Sequence, residues 1–528
     1  TKRQEQREEG KPQTMIHRGL LAGGLLLSIL AFVSLSFPVS GLSGSDEYCS
    51  KCVANTTTLL NDLEDPSKIE SSLNLLCNLA GNKTERQKCK DLVKSLISWV
   101  EAEDLTLEKD YSPSEICAML SFCQTQCCST PYWPEQIHVS ITGVEGEMIV
   151  MWTTLELTEN PTVLFGTDPN NLALMATGTY DTYHFCGWNG WIYQVKLTGL
   201  GTNTRFYYKV GDPQYEISLQ TLVFDSSPPT NDASQTTRVA IFGDMDATAV
   251  SDYTVSWLSA LAWKQQIGLM VHAGDISYSN GYEPIMDQYL RKIEVAASRV
   301  PYMPIVGNHE IFWDFVPYKK RFANLAVGQN SASNTSMFYS FNFGNVHFVA
   351  YDCEEYFGLA PDLQPGNPQY DWLEADLQKA NANRGQQPWV VLFGHRPLYC
   401  TALSDRCTTE AARYRSLIEP LINKYHVDLV VSGHNHNYER TYPVFNNQTV
   451  AFNYDNPTAT TYVVAGTAGN KEGHGQVFSS TPPSWSVANE RYSIFGYTVL
   501  TAKGNSSLEL QFFDETQRLQ DSFSITRS

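Results

Sequence analysis

One local pattern recurs along the second half of the sequence: a short apolar run, then glycine, then a side chain able to bind a metal ion. It closes "RVAIFGD" at Asp244, "LMVHAGD" at Asp275, "MPIVGN" at Asn308, "WVVLFGH" at His395 and "DLVVSGH" at His434. Alone, each instance is ordinary, since Gly-Asp commonly marks a turn and a single histidine is commonly a satisfied core residue. Their conjunction, each after a buried-strand pattern, points to one site. His436 follows in "GHNHNYER", and Tyr278 stands three residues after Asp275 in "GDISY", where it is either packing or a ligand. Two aspartates, one asparagine, three histidines and Tyr278 make seven donors. That is too many for one tetrahedral zinc and suits two ions sharing a carboxylate. His434 and His436 point to the same side if the chain is extended, so each imidazole can serve a different ion.

Runs with so little polarity read as strands buried on both faces, and the segments between them, such as "IMDQYLRKIEVA" and "YRSLIEPLINKY", read as helices. Residues 236–528 are therefore expected to form an α/β sandwich with all five donors at the carboxyl ends of strands, where open α/β sheets place their sites. Glycine before each donor is expected to let the backbone turn sharply. Upstream, "QIHVSITG", "EMIVMWTT", "PTVLFGT", "WIYQVKLTGL", "TRFYYKVGD" and "LQTLVF" read as strands of a fibronectin III-like β-sandwich over residues 131–228, and "SSPPTNDASQT" as the linker after it.

These motifs resemble those of the metallophosphoesterase superfamily, and specifically of purple acid phosphatases, from about Trp133 to the C-terminus, including "GTAGNKEGH" and the closing "DSFSI". The resemblance implies an acid phosphatase that hydrolyses phosphate monoesters with a metal-activated hydroxide. It implies that Asp275 bridges two metals, that Asp244, Tyr278 and His436 complete a ferric site, and that Asn308, His395 and His434 complete a divalent one holding Zn, Fe or Mn. Fe(III) is hard and favours anionic oxygen, so two carboxylates and a phenolate suit it, while Asn and His suit a softer divalent neighbour. A trivalent ion also acidifies bound water strongly, which permits work in acid. His309 is the candidate to bind the phosphate or protonate the leaving group, with Glu310 and Asp314 as alternatives. His347 reads as strand interior and His272 as a neighbour of the ligands.

Two departures from the family pattern stand out. "GDMDA" carries Asp246 where the family has glycine, which adds a negative charge near the cluster and bears on metal retention. "LYCTALSDRC" has no histidine where plant members carry one, which leaves the general acid open. Cys400 and Cys407 are spaced to close this loop by a disulfide.

A chain of 528 residues is too long for one core and predicts a multidomain protein. Its net charge of -19 repels phosphate backbones, which disfavours a nucleic-acid partner. Residues 1–14 read as an upstream segment and 15–44 as a signal peptide, with an uncleaved signal anchor as the alternative; a secreted or lysosomal location follows. The twelve cysteines and the glycosylation acceptors Asn55, Asn82, Asn334, Asn447 and Asn505 agree with an oxidising compartment. Cys49, Cys52, Cys77, Cys89, Cys117 and Cys123 lie in a helical stretch with no histidine, and their spacing resembles that of a saposin-type domain over 45–128. That resemblance implies a small all-α domain stapled by Cys49–Cys123, Cys52–Cys117 and Cys77–Cys89. Saposin-like domains often contact lipid. From Asp46 to Cys123 there are eight Lys/Arg and fourteen Asp/Glu, a net of -6, so approach to a membrane is expected only once carboxylates protonate in an acidic lumen.

Two other functions compete. Acid sphingomyelinases, phosphodiesterases acting on lipid headgroups, also join a saposin domain to a metallophosphoesterase. They lack the GDxxY tyrosine and this β-sandwich, and carry histidine where this chain has Asp246. A non-catalytic lipid-binding protein is opposed by seven intact donors.

Overall fold

The computed structural model describes residues 131–527, apart from 184–187, 219, 324, 326–332, 334, 355–362, 405 and 475–476. The expected signal segment, the saposin-like segment with its three bridges, and Asn55, Asn82 and Asn334 lie outside the described residues. Asn447 and Asn505 occupy exposed turns.

The first β-rich region is two four-stranded antiparallel sheets. One runs in the order Glu135–Ser140, Met148–Thr154, Trp191–Leu197, Thr179–Asp181; the other runs Leu174–Thr177, Thr162–Gly166, Arg205–Gly211, Leu222–Asp225. Alternate residues, among them Val150, Trp152, Val163, Phe165, Tyr193, Val195, Phe206 and Tyr208, meet in one core between the sheets. Leu174–Thr177 and Thr179–Asp181 do not figure in the sequence reading. Both are short and almost wholly exposed, so they carry no apolar alternation to find.

The region after the sandwich is built on two further sheets. A six-stranded sheet has the order Tyr302–Ile305, Leu269–Ala273, Thr236–Phe242, Gly496–Lys503, Ser507–Asp514, Leu519–Thr526, with the first three strands parallel and the rest antiparallel. A seven-stranded sheet has the order Tyr339–Phe343, Val346–Ala350, Trp389–Gly394, Leu429–Ser432, Thr461–Ala465, Tyr438–Thr441, Ser486–Tyr492, parallel through its middle four strands. Val239, Ile241, Val391, Phe393, Val431 and Val463 share a single core, so the two sheets pack face to face. Alternation explains why the central strands look apolar throughout. Val390, Leu392 and Val430 point the other way, onto Leu373 and Leu377 of helix Pro368–Ala382 and Ile418, Leu421 and Ile422 of helix Ala411–Lys424.

The sandwich meets the region after it through polar groups. Arg321 is fully buried and bonds Asp287, Gln136 and Tyr183, while the Tyr208 hydroxyl donates to the Ser298 carbonyl at 2.7 Å. Glu294 accepts from the backbone N–H of Gln136 at 2.7 Å and of Ile137 at 3.3 Å. Burial pushes its carboxyl up to about 7 from 4.5, against the opposing effect of those two bonds. An acid whose pKa is raised by folding costs stability above the folded value, and the cost disappears as pH falls toward the unfolded one. The carboxylate therefore costs about 3 kcal/mol well above pH ~7 and almost nothing below pH ~4.5. Glu294→Gln keeps an acceptor for both N–H groups and should raise the thermal midpoint at pH 8 by a few degrees while leaving it unchanged at pH 4.5. Equal shifts at both pH values would contradict this reading.

Candidate metal centre

The five repeated motifs end at one edge of the two larger sheets. Strands Thr236–Phe242, Leu269–Ala273 and Tyr302–Ile305 deliver Asp244, Asp275 and Asn308; strands Trp389–Gly394 and Leu429–Ser432 deliver His395 and His434. Two groups of possible ligands share Asp275. One joins Asp244, Asp275 and His436, the other Asp275, His395 and His434, and within each group the donor atoms lie within 4.8 Å of one another. Tyr278 completes the first group, its hydroxyl 3.2 Å from Asp244 Oδ1 and 2.9 Å from His436 Nε2. Asn308 completes the second, with Oδ1 3.1 Å from His395 Nε2, which is itself 3.1 Å from Asp275 Oδ2. All of these residues are buried except the partly exposed Asn308.

The histidine tautomers are set from behind. His395 Nδ1 lies 2.9 Å from the Ala273 carbonyl and His436 Nδ1 lies 2.9 Å from the Gly473 carbonyl, so in both rings Nε2 faces the centre. His434 is reversed. Its Nε2 lies 3.4 Å from Glu410 and 3.2 Å from a guanidinium nitrogen of Arg396, and its Nδ1 lies 3.2 Å from His395 Nε2, so Nδ1 is the nitrogen that faces the centre.

The backbone achieves this differently from the sequence expectation. Of the five glycines that precede donors, only Gly274 has a left-handed φ, +82°. The left-handed residues are the donors themselves: Asp244 (φ 63°), Asp275 (56°), Tyr278 (54°) and His434 (68°). The glycines serve close approach. A Cβ on Gly307 would stand 2.2 Å from Asp275 Oδ1, and one on Gly433 would stand 2.3 Å from Asp244 Oδ2. Nor is "GHNH" extended. Asn435 N–H bonds Gly433 O at 2.8 Å and Asn437 N–H bonds Asn435 O at 2.7 Å, and this tight winding is what sends His434 and His436 to different groups.

The electrostatics fit a cation pair. Asp244 and Asp275 are buried without a lysine or arginine paired to either among the described residues. Burial disfavours charge on His395, yet the pull of Asp275, helped by Asp244 and Glu354, raises its pKa to about 10. Histidines nearby hold Asp275 well below the usual carboxylate range despite its burial. Burial, then Asp244, Asp275 and Glu472, push the Tyr278 phenol well above its ordinary value, so only a strongly polarising cation can draw the phenolate out. A third cluster, Cys400, Cys407 and Glu439, is not a metal site, because Cys400 and Cys407 form a disulfide and Glu439 accepts from Thr401 N–H and Oγ1.

Residues 134–226 match the purple acid phosphatase N-terminal domain family, 237–438 the calcineurin-like phosphoesterase family, and 459–522 the iron/zinc purple acid phosphatase-like C-terminal family. Acid phosphatase type 7 of Homo sapiens is 32% identical over 404 residues, covering 73% of this chain and 88% of that protein. The chain belongs to the purple acid phosphatase family. Purple acid phosphatase 21 of Arabidopsis thaliana is 31% identical over 372 residues, 69% of this chain and 78% of its own length. The structure of a purple acid phosphatase isolated from yellow lupin (Lupinus luteus) seeds superposes with a TM-score of 0.65 at 26% identity, covering 76% of this chain and 75% of that one.

Within this purple acid phosphatase, His309 is buried, its ring 4.1 Å from that of Tyr278 and its Nε2 3.3 Å from Glu472 Oε1 and 3.7 Å from Asp275 Oδ2. Glu472 lies inside the quoted "GTAGNKEGH" stretch, but a glutamate between a lysine and a glycine gives no sign that it will face a histidine far away in sequence. Glu310 accepts from the N–H groups of Asp275, Ile276 and Gly307 and so ties two donor loops together, while burial and then the Asp275 charge push its carboxyl well above its ordinary value. Asp314 lies on an exposed turn paired with Lys319 and takes no part in the cluster.

Asp246 also turns away. It accepts from Thr248 N–H and Oγ1 at 2.8 Å, and its φ is not left-handed, so nothing at this position requires glycine. Burial raises its pKa against the opposing bonds from Thr248. His347 lies in the strand Val346–Ala350 and pairs with Asp376 at 2.9 Å. His272 bonds the Tyr302 hydroxyl at 2.6 Å, and burial lowers its pKa to about 3, keeping it neutral behind the donors.

Proposed function

We infer that this phosphatase hydrolyses phosphate monoesters at an Fe(III)–divalent pair held by Asp244, Asp275, Tyr278, His436, Asn308, His395 and His434. Hydrolysis of phosphate esters at a binuclear metal centre follows from family membership; the monoester preference, the metal identities and the role of each residue are the finer reading. The observation that carries it is the shared Asp275 between two donor groups of different chemistry, one including a phenol and the other an amide. Bound ions supply an acidified water and neutralise charge on the ester. The protein orients both sets of donors from behind through Ala273, Gly473 and Glu410, and His309 faces the partly exposed side near Asn308, where it binds phosphate or protonates the leaving oxygen. A secreted or acidic-lumen location and lipid contact through residues 45–128 are supported by the cysteine spacing, the acceptor motifs and the Cys400–Cys407 disulfide.

Purified protein should carry iron plus Zn, Fe or Mn, absorb broadly between about 500 and 600 nm if phenolate meets Fe(III), and hydrolyse p-nitrophenyl phosphate at pH 5 faster than its diester. A colourless, iron-free, zinc-loaded active enzyme would overturn the ferric assignment. Faster diester cleavage would favour the sphingomyelinase-like alternative.

A further inference from the structure

The loop after His395 is closed by the Cys400–Cys407 disulfide, with Cα atoms 5.1 Å apart, and it is fastened onto the segment that carries two of the metal donors. Asn435, between His434 and His436, donates from Nδ2 to Cys407 Sγ at 2.7 Å. Arg406, the residue before Cys407, donates from one guanidinium nitrogen to the His434 carbonyl at 2.5 Å. The far side of the loop is pinned as well, by Leu403 N–H to the Val477 carbonyl at 2.7 Å and by Thr401 on the buried Glu439. The disulfide and these bonds hold Arg406 beside the centre at a fixed place.

Two arginines stand near the metal donors, and they differ in what their charge meets. Arg396 is mostly buried and saturated, with Nε and one terminal nitrogen on Glu354 and the other on Glu410 at 2.5 Å and 3.2 Å from His434 Nε2. Arg406 is partly exposed and has no carboxylate partner among the described residues. Only one of its nitrogens is engaged, and that by a neutral carbonyl. Its charge is felt at both Tyr278 and His434, one from each donor group. A half-buried guanidinium with donors to spare, anchored on the His434 carbonyl beside two groups of metal donors, matches the planar donor pattern that phosphate oxygens accept.

We propose that Arg406 binds the phosphate group of the substrate at the rim of the metal centre, and that the Cys400–Cys407 loop exists in part to hold it there. The proposal rests on the phosphatase reading above and adds to it a residue that fixes the ester's non-bridging oxygens before attack. Arg406 acts on binding more than on bond cleavage, because its charge meets the phosphate in both the bound ester and the transition state.

The test compares wild type with Arg406→Gln, which removes the charge and leaves a shorter amide donor, and with Arg406→Lys. Each is measured for metal content, visible spectrum, KM and kcat on p-nitrophenyl phosphate at pH 5, and inorganic phosphate affinity by calorimetry. In Arg406→Gln, KM and the phosphate dissociation constant should rise about 10-fold or more with kcat changed by less than about 5-fold, and with full metal and an unaltered resting spectrum. Arg406→Lys should recover part of the phosphate affinity. Unchanged KM and phosphate affinity in a fully metallated Arg406→Gln would overturn the proposal, as would loss of metal from both variants, which would make Arg406 a support of the His434 turn. If wild type fails to hydrolyse the ester, the phosphatase reading falls; the calorimetric comparison still decides whether Arg406 binds phosphate.

Discussion

Tyr278→Phe should fold normally by circular dichroism yet lose visible colour and bind iron at least about 100-fold more weakly, with activity falling in parallel. The phenyl ring preserves what Tyr278 contributes to packing: the side chain is 1% exposed and its ring lies 4.1 Å from that of His309. What disappears is the hydroxyl between Asp244 Oδ1 and His436 Nε2. Burial and the neighbouring carboxylates hold this phenol well above its ordinary pKa, so in the metal-free protein it keeps its proton. Ferric binding must release that proton, and the removal of phenolate from the donor set takes away the feature that most favours a trivalent ion over a second zinc. Unchanged colour and iron content would return Tyr278 to a packing role.

Asp275→Asn should cost more. Asp275 belongs to both donor groups, and its two oxygens are divided between His395 Nε2 at 3.1 Å and the His309 N–H at 3.0 Å. Asparagine keeps the shape but removes the charge, and one amide nitrogen would face a donor site. Both ions should bind weakly, and kcat should fall on the order of 10³-fold or more. Metal-induced stabilisation supplies a second readout: added metal should raise the thermal midpoint of wild type and leave that of Asp275→Asn nearly unmoved. Retention of two ions per chain with a normal metal-dependent rise would refute the shared-ligand assignment.

Metal uptake itself is expected to weaken in acid, although hydrolysis is assayed there. In the metal-free arrangement His395 has its pKa raised to about 10, so it must lose a proton before it can ligate. The two effects are compatible because the ions, once bound, hold the donors in their ligating forms.

The five strand-end candidates, Asp244, Asp275, Asn308, His395 and His434, and the strands that carry them were legible in the sequence because each signal is local, whereas Tyr278 stayed open between packing and ligand. An apolar run buried on both faces must be a strand, and a polar group placed directly at its end must sit at a sheet edge, whatever the rest of the chain does. The five motifs share an apolar run and a glycine before the donor, whereas the division of the donors between two ions is what the family resemblance implied. The edge strands Leu174–Thr177 and Thr179–Asp181 were not legible, since exposed strands need no apolar pattern.

Other features depend on residues distant in sequence and could be decided only by the tertiary structure. Glu310 becomes a clamp because three N–H groups from two loops converge on it, and Asp246 is engaged because Thr248 turns back to meet it. The pairing of Glu472 with His309 and of Arg406 with the His434 carbonyl joins segments that no spacing rule connects. The role of the glycines was also misplaced by local reasoning. Sequence identified residues that need little space, but whether that space serves a positive φ or the approach of a carboxylate is set by what packs against them: at Gly307 and Gly433 it is Asp275 and Asp244. Donor identity is a property of residue type and survives in one dimension; donor direction, proton position and the cation left free for substrate arise from contacts between strands, and those exist only once the two sheets have closed on each other.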